Sequence, residues 1–519
     1  MRVAHPVVVR LAYRWIGSMK MLERLREHAA AHPLRTALSG PDWQFSYGQL
    51  VSEVEQAIRQ LCEVGTQVLA ISMDNGPAWV ILDIAALQLD ICVVPLPGFF
   101  SSAQTQHTIR RAGVQGVATD DPDGLRERCG GMLQTGERTL EIGGQRVSWL
   151  KVQQDSCAPT APLARVVHKV TFTSGTTADP KGVMLDWQQM RAVVESLVGA
   201  VGMAPDDRHL VLMPLAVLLD NIAGVYVALW AGAVVELWPL ARIGLTGAAA
   251  LNARLMVDAL GRSRATTAIF SPQTLQGVVE QLEMHESSGL TLRFAAIGGA
   301  PVSPQLLERA ARVGVPAYEG YGLSECGSVV CLNTPAQQRP GSVGRPLPHL
   351  LLSIADDGEV WVSGRGFLGY LGDADPHRAV WPTGDLGELD VDGYLFLRGR
   401  KRNVFITSSG RNVAPEWVER ELVLEGAIRQ AALFGEARPF NVAILVAAPD
   451  ANVAQIDAAV ERVNRTLPDY ARVARWVRAR SPFSVANGLL TGTGRIRRDA
   501  LAQRYDRVIE SLYSEALSS

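Results

Sequence analysis

Between residue 22 and about residue 330, short apolar runs alternate with stretches of helical spacing. Val68–Ser72, Ile91–Val94, Gly116–Thr119, Val167–Phe172, His209–Met213, Ala233–Leu237, Thr267–Phe270 and Phe294–Ile297 read as strands. Met21–His32 has helical spacing, Phe45–Leu50 opens another helix, and a further helix runs through Trp79 and Leu87. Continuous apolar strands separated by helices predict parallel sheets covered on both faces, an α/β class. From about residue 340 the period changes. Gly358–Ser363 and Gly393–Leu397 alternate between apolar and polar and start at glycines, as antiparallel hairpins do. The basic run Arg398-Gly-Arg-Lys-Arg402 follows and marks the expected boundary between domains 1–400 and 401–519. Beyond it the pattern predicts a small α+β unit with helix Pro415–Leu424, strand Val442–Val446, helix Val453–Thr466 and a C-terminal helix from Asp499.

A chain of 519 residues exceeds one compact core, which agrees with that division. The 47% hydrophobic and 20% charged shares are those of a soluble globular protein. Fifty basic against 52 acidic side chains leave a net charge of −2, so no global field favours nucleic acid or an anionic membrane. The six cysteines form no CxxC pair, and buried free thiols in a reducing compartment are expected. No run approaches the roughly 20 apolar residues of a membrane span. Near the N-terminus, Pro6–Val9 is quickly broken by Arg10 and Arg14. That segment reads as an amphipathic membrane-touching helix or as sequence upstream of a start at Met19 or Met21, and a cytoplasmic protein is expected.

Three segments carry chemistry. In Thr171-Phe-Thr-Ser-Gly-Thr-Thr-Ala-Asp-Pro-Lys-Gly-Val183, five hydroxyl side chains surround Gly175, and Lys181 follows Pro180. Hydroxyls and a glycine let donors approach phosphate oxygens closely, and the lysine adds a point charge. Gly182 after Lys181, where a P-loop has Ser or Thr, rules that loop out. In Glu319-Gly-Tyr-Gly-Leu-Ser-Glu325, a tyrosine between glycines has an open ring face, and Glu325 suits a hard cation beside phosphates. Cys326 stands where a nucleophile elbow needs glycine. Trp381-Pro-Thr-Gly-Asp385 ends in a carboxylate able to accept from both hydroxyls of a vicinal diol. Gly364–Gly369 satisfies G-x-G-x-x-G, but Gly372 and Pro376 disfavour the helix a dinucleotide site needs.

Together these segments resemble the adenylate-forming superfamily of acyl-CoA synthetases, peptide-synthetase adenylation domains and luciferases, from about residue 22 to 505. The resemblance implies a large N-terminal domain of parallel-rich sheets with a small β-barrel-like subdomain, and a small mobile C-terminal domain rotating about Arg402. It implies that Thr173, Ser174, Gly175, Thr176, Thr177 and Lys181 bind the β- and γ-phosphates. Gly299 and Ala300, in the turn Gly298-Gly-Ala-Pro301, would form the adenine pocket with Glu319, Gly320, Tyr321 and Gly322. Tyr321 would stack on adenine and Ser324 contact the α-phosphate. Asp385 would hold the ribose, Arg400 would reach the ribose or a phosphate, and Glu325 with Thr176 would hold the Mg2+. Ser409–Glu419 matches the loop that enters the site in the second conformation.

Two departures matter. Leu490-Thr-Gly-Thr-Gly-Arg-Ile-Arg-Arg498 is similar to the C-terminal signature, with Arg495 where the family has its catalytic lysine. A guanidinium keeps the charge but is planar and forked. Ala216 and Val217 stand where relatives often carry an aromatic and a histidine. With Asn221 and Gly298 they predict an apolar acyl pocket. Leu219 falls near the amine-binding aspartate of amino-acid-activating relatives, with Asp220 one register step away. The expected reaction is attack of a fatty or aryl carboxylate on the α-phosphate of Mg·ATP. Acyl transfer to coenzyme A or a carrier-protein phosphopantetheine follows. An amide-forming ligase, or a nucleotide-binding protein without catalysis, is the alternative. No nucleic acid partner or integral membrane segment is expected, and the state is monomer or homodimer.

Overall fold

A computed structural model describes residues 19–153, 166–173, 180–246, 250–285, 289–300, 302–364, 368–373, 380–408, 410–484, 487–491 and 495–514. One sheet has seven strands, in the spatial order Leu133–Ile142, Gln145–Val152, Gly116–Thr119, Val68–Ser72, Cys92–Pro95, Lys169–Thr173 and Lys181–Leu185. Its four inner strands are parallel, and hairpins at the two edges are antiparallel. A nine-stranded sheet repeats the plan, with six parallel strands from Ala317–Tyr321 to Thr36–Ser39 and antiparallel edges. The predicted parallel sheets therefore hold at the centres. Val68–Ser72 is buried at every residue, as a strand covered on both faces must be.

Helices fill the space between the sheets. Every residue from Pro77 to Leu87 in helix Pro77–Gln88 is buried, so its apolar surface has no solvent side. Helix Trp187–Val201 starts where the Asp186 side chain accepts the Gln189 N–H and ends at Gly202 in the left-handed conformation. A π-helix, Leu219–Tyr226, lies beside it. Residues of all three helices and of both sheets share one hydrophobic core. The helix expected from Phe45 begins at Tyr47, because Gln44–Ser46 pairs as an edge strand and Ser46 caps the helix.

From Leu350 a four-stranded antiparallel sheet is built of Leu350–Ile354, Glu359–Gly364, Val380–Leu389 and Leu395–Arg400. The basic run thus begins inside a strand. The segment beyond contains helix Pro415–Val423, strands Ile428–Phe434, Asn441–Ala447 and Val473–Arg478, and helices Val453–Thr466 and Arg498–Ser514. Among the described residues, no buried cluster joins core residues from both sides of the interval between Leu395 and Phe405.

The expectation of buried thiols is corrected at Cys62, which is exposed, while Cys92, Cys129, Cys326 and Cys331 are buried. The buried face of helix Tyr47–Val64 runs through Leu50, Val54, Ala57 and Leu61, and Cys62 points away from it. Cys157, the N-terminal segment 1–18 and the centre of the rejected glycine motif, 365–367, lie outside the described residues. No helix among the described residues is long and apolar enough to cross a membrane.

Candidate active site

Strand Lys169–Thr173 and its return strand Lys181–Leu185 pair as far as Thr173 opposite Lys181, closing the base of the phosphate segment. Ser174, Gly175, Thr176 and Thr177 lie outside the described residues. Lys181 is exposed, with Nζ 5.1 Å from the centre of the Tyr370 ring.

Strand Ala317–Tyr321 delivers the second segment. The buried Tyr321 donates its hydroxyl to Asp385 Oδ2 at 2.6 Å. Arg400 stands directly opposite Asp385 across two paired strands, and its Nε reaches Oδ1 at 2.6 Å. Burial pushes the Asp385 carboxyl up, against the pull of Arg400. Both carboxylate oxygens are engaged, yet each keeps a further lone pair for an approaching hydroxyl. After Gly322 the chain turns through Ser324–Cys326. Glu325 Oε1 accepts from the Tyr370 hydroxyl at 2.6 Å, and its backbone carbonyl accepts from Gln189 Nε2 at 2.8 Å.

Gly322 is required by close approach, since a Cβ there would lie 1.6 Å from the Ser328 carbonyl oxygen. Gly322→Ala is expected to cost about 3 kcal/mol, the upper end for overpacking. A lowered unfolding midpoint in urea, with weaker nucleotide binding, checks this.

Glu319 faces inward. Its Oε1 accepts the Val302 N–H at 3.3 Å, and burial pushes its carboxyl up to about 7. It braces the adjoining turn Gly298–Ala300, where Gly299 and Ala300 are exposed. Arg495 Nη2 donates to Gly299 O at 3.0 Å, so the C-terminal signature reaches this turn. Asp385, Arg400 and Arg402 supply the charges around Arg495. The structure thus brings together Tyr321, Asp385, Arg400 and Arg495, and, through Tyr370, Lys181 and Glu325.

Among the described residues, no group of three His, Cys, Asp or Glu side chains could cage a metal. A lone carboxylate such as Glu325 fits Mg2+ that takes its other ligands from phosphates and water.

A small apolar cavity of about 40 Å3 is lined by Leu197, Leu219, Ala223, Val227, Ile269 and Phe294 among others. Leu219 Cδ2 lies 3.4 Å from where a Cβ on Gly298 would be, which joins the cavity to the Gly298–Ala300 turn. Leu219 lines this cavity and Asp220 does not. Asp220 is fully buried and accepts the Leu212 and Met213 N–H groups at 2.9 and 3.0 Å, and the His209 Nε2–H at 2.9 Å.

None of the four expected pocket residues, Ala216, Val217, Asn221 and Gly298, is among the lining of this cavity, although Gly298 adjoins it through Leu219. Asn221 instead belongs to a buried polar cluster: it accepts from Lys169 Nζ and donates to Asp83 Oδ2 at 3.1 Å. In that cluster Lys169 Nζ also meets Asp83 Oδ2 at 2.9 Å, and the Tyr226 hydroxyl donates to the same oxygen at 2.7 Å. Asn221 lies in the π-helix, whose wider turn spaces side chains differently from an α-helix. Tyr370 and Ala223 are the neighbours that the motifs alone did not name.

The likeness to known proteins is broad. A long-chain-fatty-acid–CoA ligase, FadD15 of Mycobacterium bovis, is 27% identical over 90% of this chain and 92% of its own. The anthranilate CoA ligase AuaEII, solved with anthranoyl-AMP, shares the fold with a TM-score of 0.78 at 18% identity, covering 94% of this chain and 97% of that one. The amide bond synthetase McbA of Marinactinospora thermotolerans does so with a TM-score of 0.73 at 23% identity, over 93% and 99%. The family model of the AMP-binding enzymes matches residues 25–371, and that of their C-terminal domain matches 402–517. Matched along both parts, the chain belongs to the AMP-binding enzymes, the adenylate-forming superfamily.

Proposed function

We propose that this chain is an ATP-dependent acid–thiol ligase for an apolar carboxylic acid. The carrying observation is the continuity from the apolar cavity, through Leu219 and the Gly298–Ala300 turn, to the Arg495 guanidinium. An acid whose tail fills the cavity would present its carboxylate at that turn. The buried commitment of Asp220 speaks against an amino acid, whose ammonium would need a free carboxylate. In this reading Lys181 and the hydroxyl donors of 173–177 hold the β- and γ-phosphates. Tyr321 stacks on adenine, Asp385 accepts from the ribose, and Arg495 takes the charge at the α-phosphate. Glu325 holds the Mg2+, which when bound offsets phosphate charge. Binding and charge placement do most of the work. The part beyond Arg402 then rotates so that a thiol, on coenzyme A or a phosphopantetheine carrier, takes the acyl group.

Carboxylate-dependent ATP–pyrophosphate exchange over fatty, aryl and amino acids tests this reading. Exchange with apolar acids alone supports it, and silence across the panel overturns it. Offering amines in place of coenzyme A separates thiol from amine acceptors. Within that assay, Ala223→Phe fills the cavity wall and is expected to raise KM for the longest active acids by about tenfold or more, with short acids little changed.

A further inference from the structure

The short segment Leu368–Leu371 lies antiparallel to the strand that begins with Lys181. Met184 N–H donates to Gly369 O at 3.1 Å, Leu368 N–H to Met184 O at 3.1 Å, and Leu371 N–H to Gly182 O at 2.8 Å. Tyr370 therefore stands opposite Val183, next to the strand's exposed start. Its ring lies 5.1 Å from Lys181 Nζ and meets Trp381 edge-on at 5.6 Å. Its hydroxyl reaches across to Glu325 Oε1 at 2.6 Å. One side chain thus touches the two opposite charges that the site needs for a metal–triphosphate.

We propose that Tyr370 is a positioning residue for that half of the site. Its hydroxyl fixes one oxygen of Glu325 and leaves the other for a cation, while its ring seats the Lys181 ammonium. Free Lys and Glu side chains would otherwise sample many rotamers, or pair with each other and block the entry. A phenol suits this role because its hydroxyl donates to the carboxylate while its ring faces the ammonium. The ring face offers a cation site without neutralising the lysine, which remains available to phosphate. The inference rests on reading the site as one for Mg·ATP.

The test uses the full chain as wild type, Tyr370→Phe and Tyr370→Leu. ATP binding is measured at equilibrium against rising Mg2+, and AMP binding without metal. Tyr370→Phe keeps the ring and loses the hydroxyl. It is expected to raise the Mg2+ concentration for half-maximal ATP binding about five- to tenfold, with AMP affinity unchanged within about twofold. Tyr370→Leu also removes the ring and is expected to weaken ATP binding further at saturating Mg2+, again sparing AMP. If that variant fails to fold, the phenylalanine variant decides alone. An unmoved or lowered Mg2+ midpoint in Tyr370→Phe, with AMP binding intact, overturns the positioning role. A wild type that binds neither ATP nor AMP overturns the nucleotide reading itself, and this inference with it.

Discussion

Arg495→Ala is expected to lower carboxylate-dependent ATP–pyrophosphate exchange by at least about a hundredfold, the effect of removing one preorganised donor from a reaction centre. The guanidinium sits against Gly299 O, with Arg400 and Arg402 adding charge nearby. Alanine removes both the charge and the contact that holds the C-terminal signature at this turn. Arg495→Lys restores the charge on a thinner stem and is expected to keep exchange within about tenfold of the wild type, because a point charge replaces a fork. Supplying a preformed acyl-adenylate and coenzyme A bypasses the first step, so thioester formation in the alanine variant should fall far less. Exchange in the lysine variant but not in the wild type would show a first half-reaction lost through Arg495. Exchange undiminished in the alanine variant would remove Arg495 from the chemistry.

The second large effect is on stability. Lys169 and Asp83 are each about 1% exposed, and Lys169 Nζ also lies over the rings of Trp79 and Tyr226 at 5.6 and 5.1 Å. Burial lowers the lysine's pKa while Asp83 pulls it back up, so the charged form depends on its partner. Lys169→Met strands the Asp83 carboxylate in the core and is expected to cost about 3–5 kcal/mol. The double variant Lys169→Met with Asp83→Leu removes both charges and should recover a good part of that loss. It would not recover all of it, since Tyr226 and Asn221 then lose their shared acceptor. Urea unfolding of the single and double variants measures the coupling. A loss in the double variant equal to the sum of the losses in Lys169→Met and Asp83→Leu would mean the pair carries no special interaction.

Much of the fold was legible because the inner strands are continuous apolar runs: Thr267–Phe270 and Phe294–Ile297 match residue for residue. The hairpin Leu133–Ile142 with Gln145–Val152 was not, since the run from Gln134 to Thr139 is polar and exposed and stays extended only by pairing with its neighbour. In the site, short contiguous motifs such as Gly320–Glu325 and Trp381–Asp385 stand out in the sequence, and strand pairing sets Arg400 opposite Asp385. Tyr370 was not. It lies 45 residues from Glu325 in sequence and meets it only because Leu368–Leu371 pairs beside Lys181. The bonds of Asn221 to Lys169 and Asp83 were not legible either, since no hydrophobic period announces the π-helix that carries it.

That geometry also sorts the helix by what each position can tolerate. Leu219, Ala223 and Val227 recur every fourth residue and border the cavity, whereas Asn221 and Tyr226, five apart, are tied to Asp83. Gly224 belongs with the second set, because a Cβ there would lie 2.2 Å from Asp220 Oδ1 and 2.4 Å from His209 Nε2. Substrate range can therefore drift, or be redesigned, along one line of positions without loosening the strand that leads into the phosphate segment. Libraries confined to 219, 223 and 227 should yield folded proteins with altered acid preference, and those spread over 220, 221, 224 and 226 should yield mostly losses.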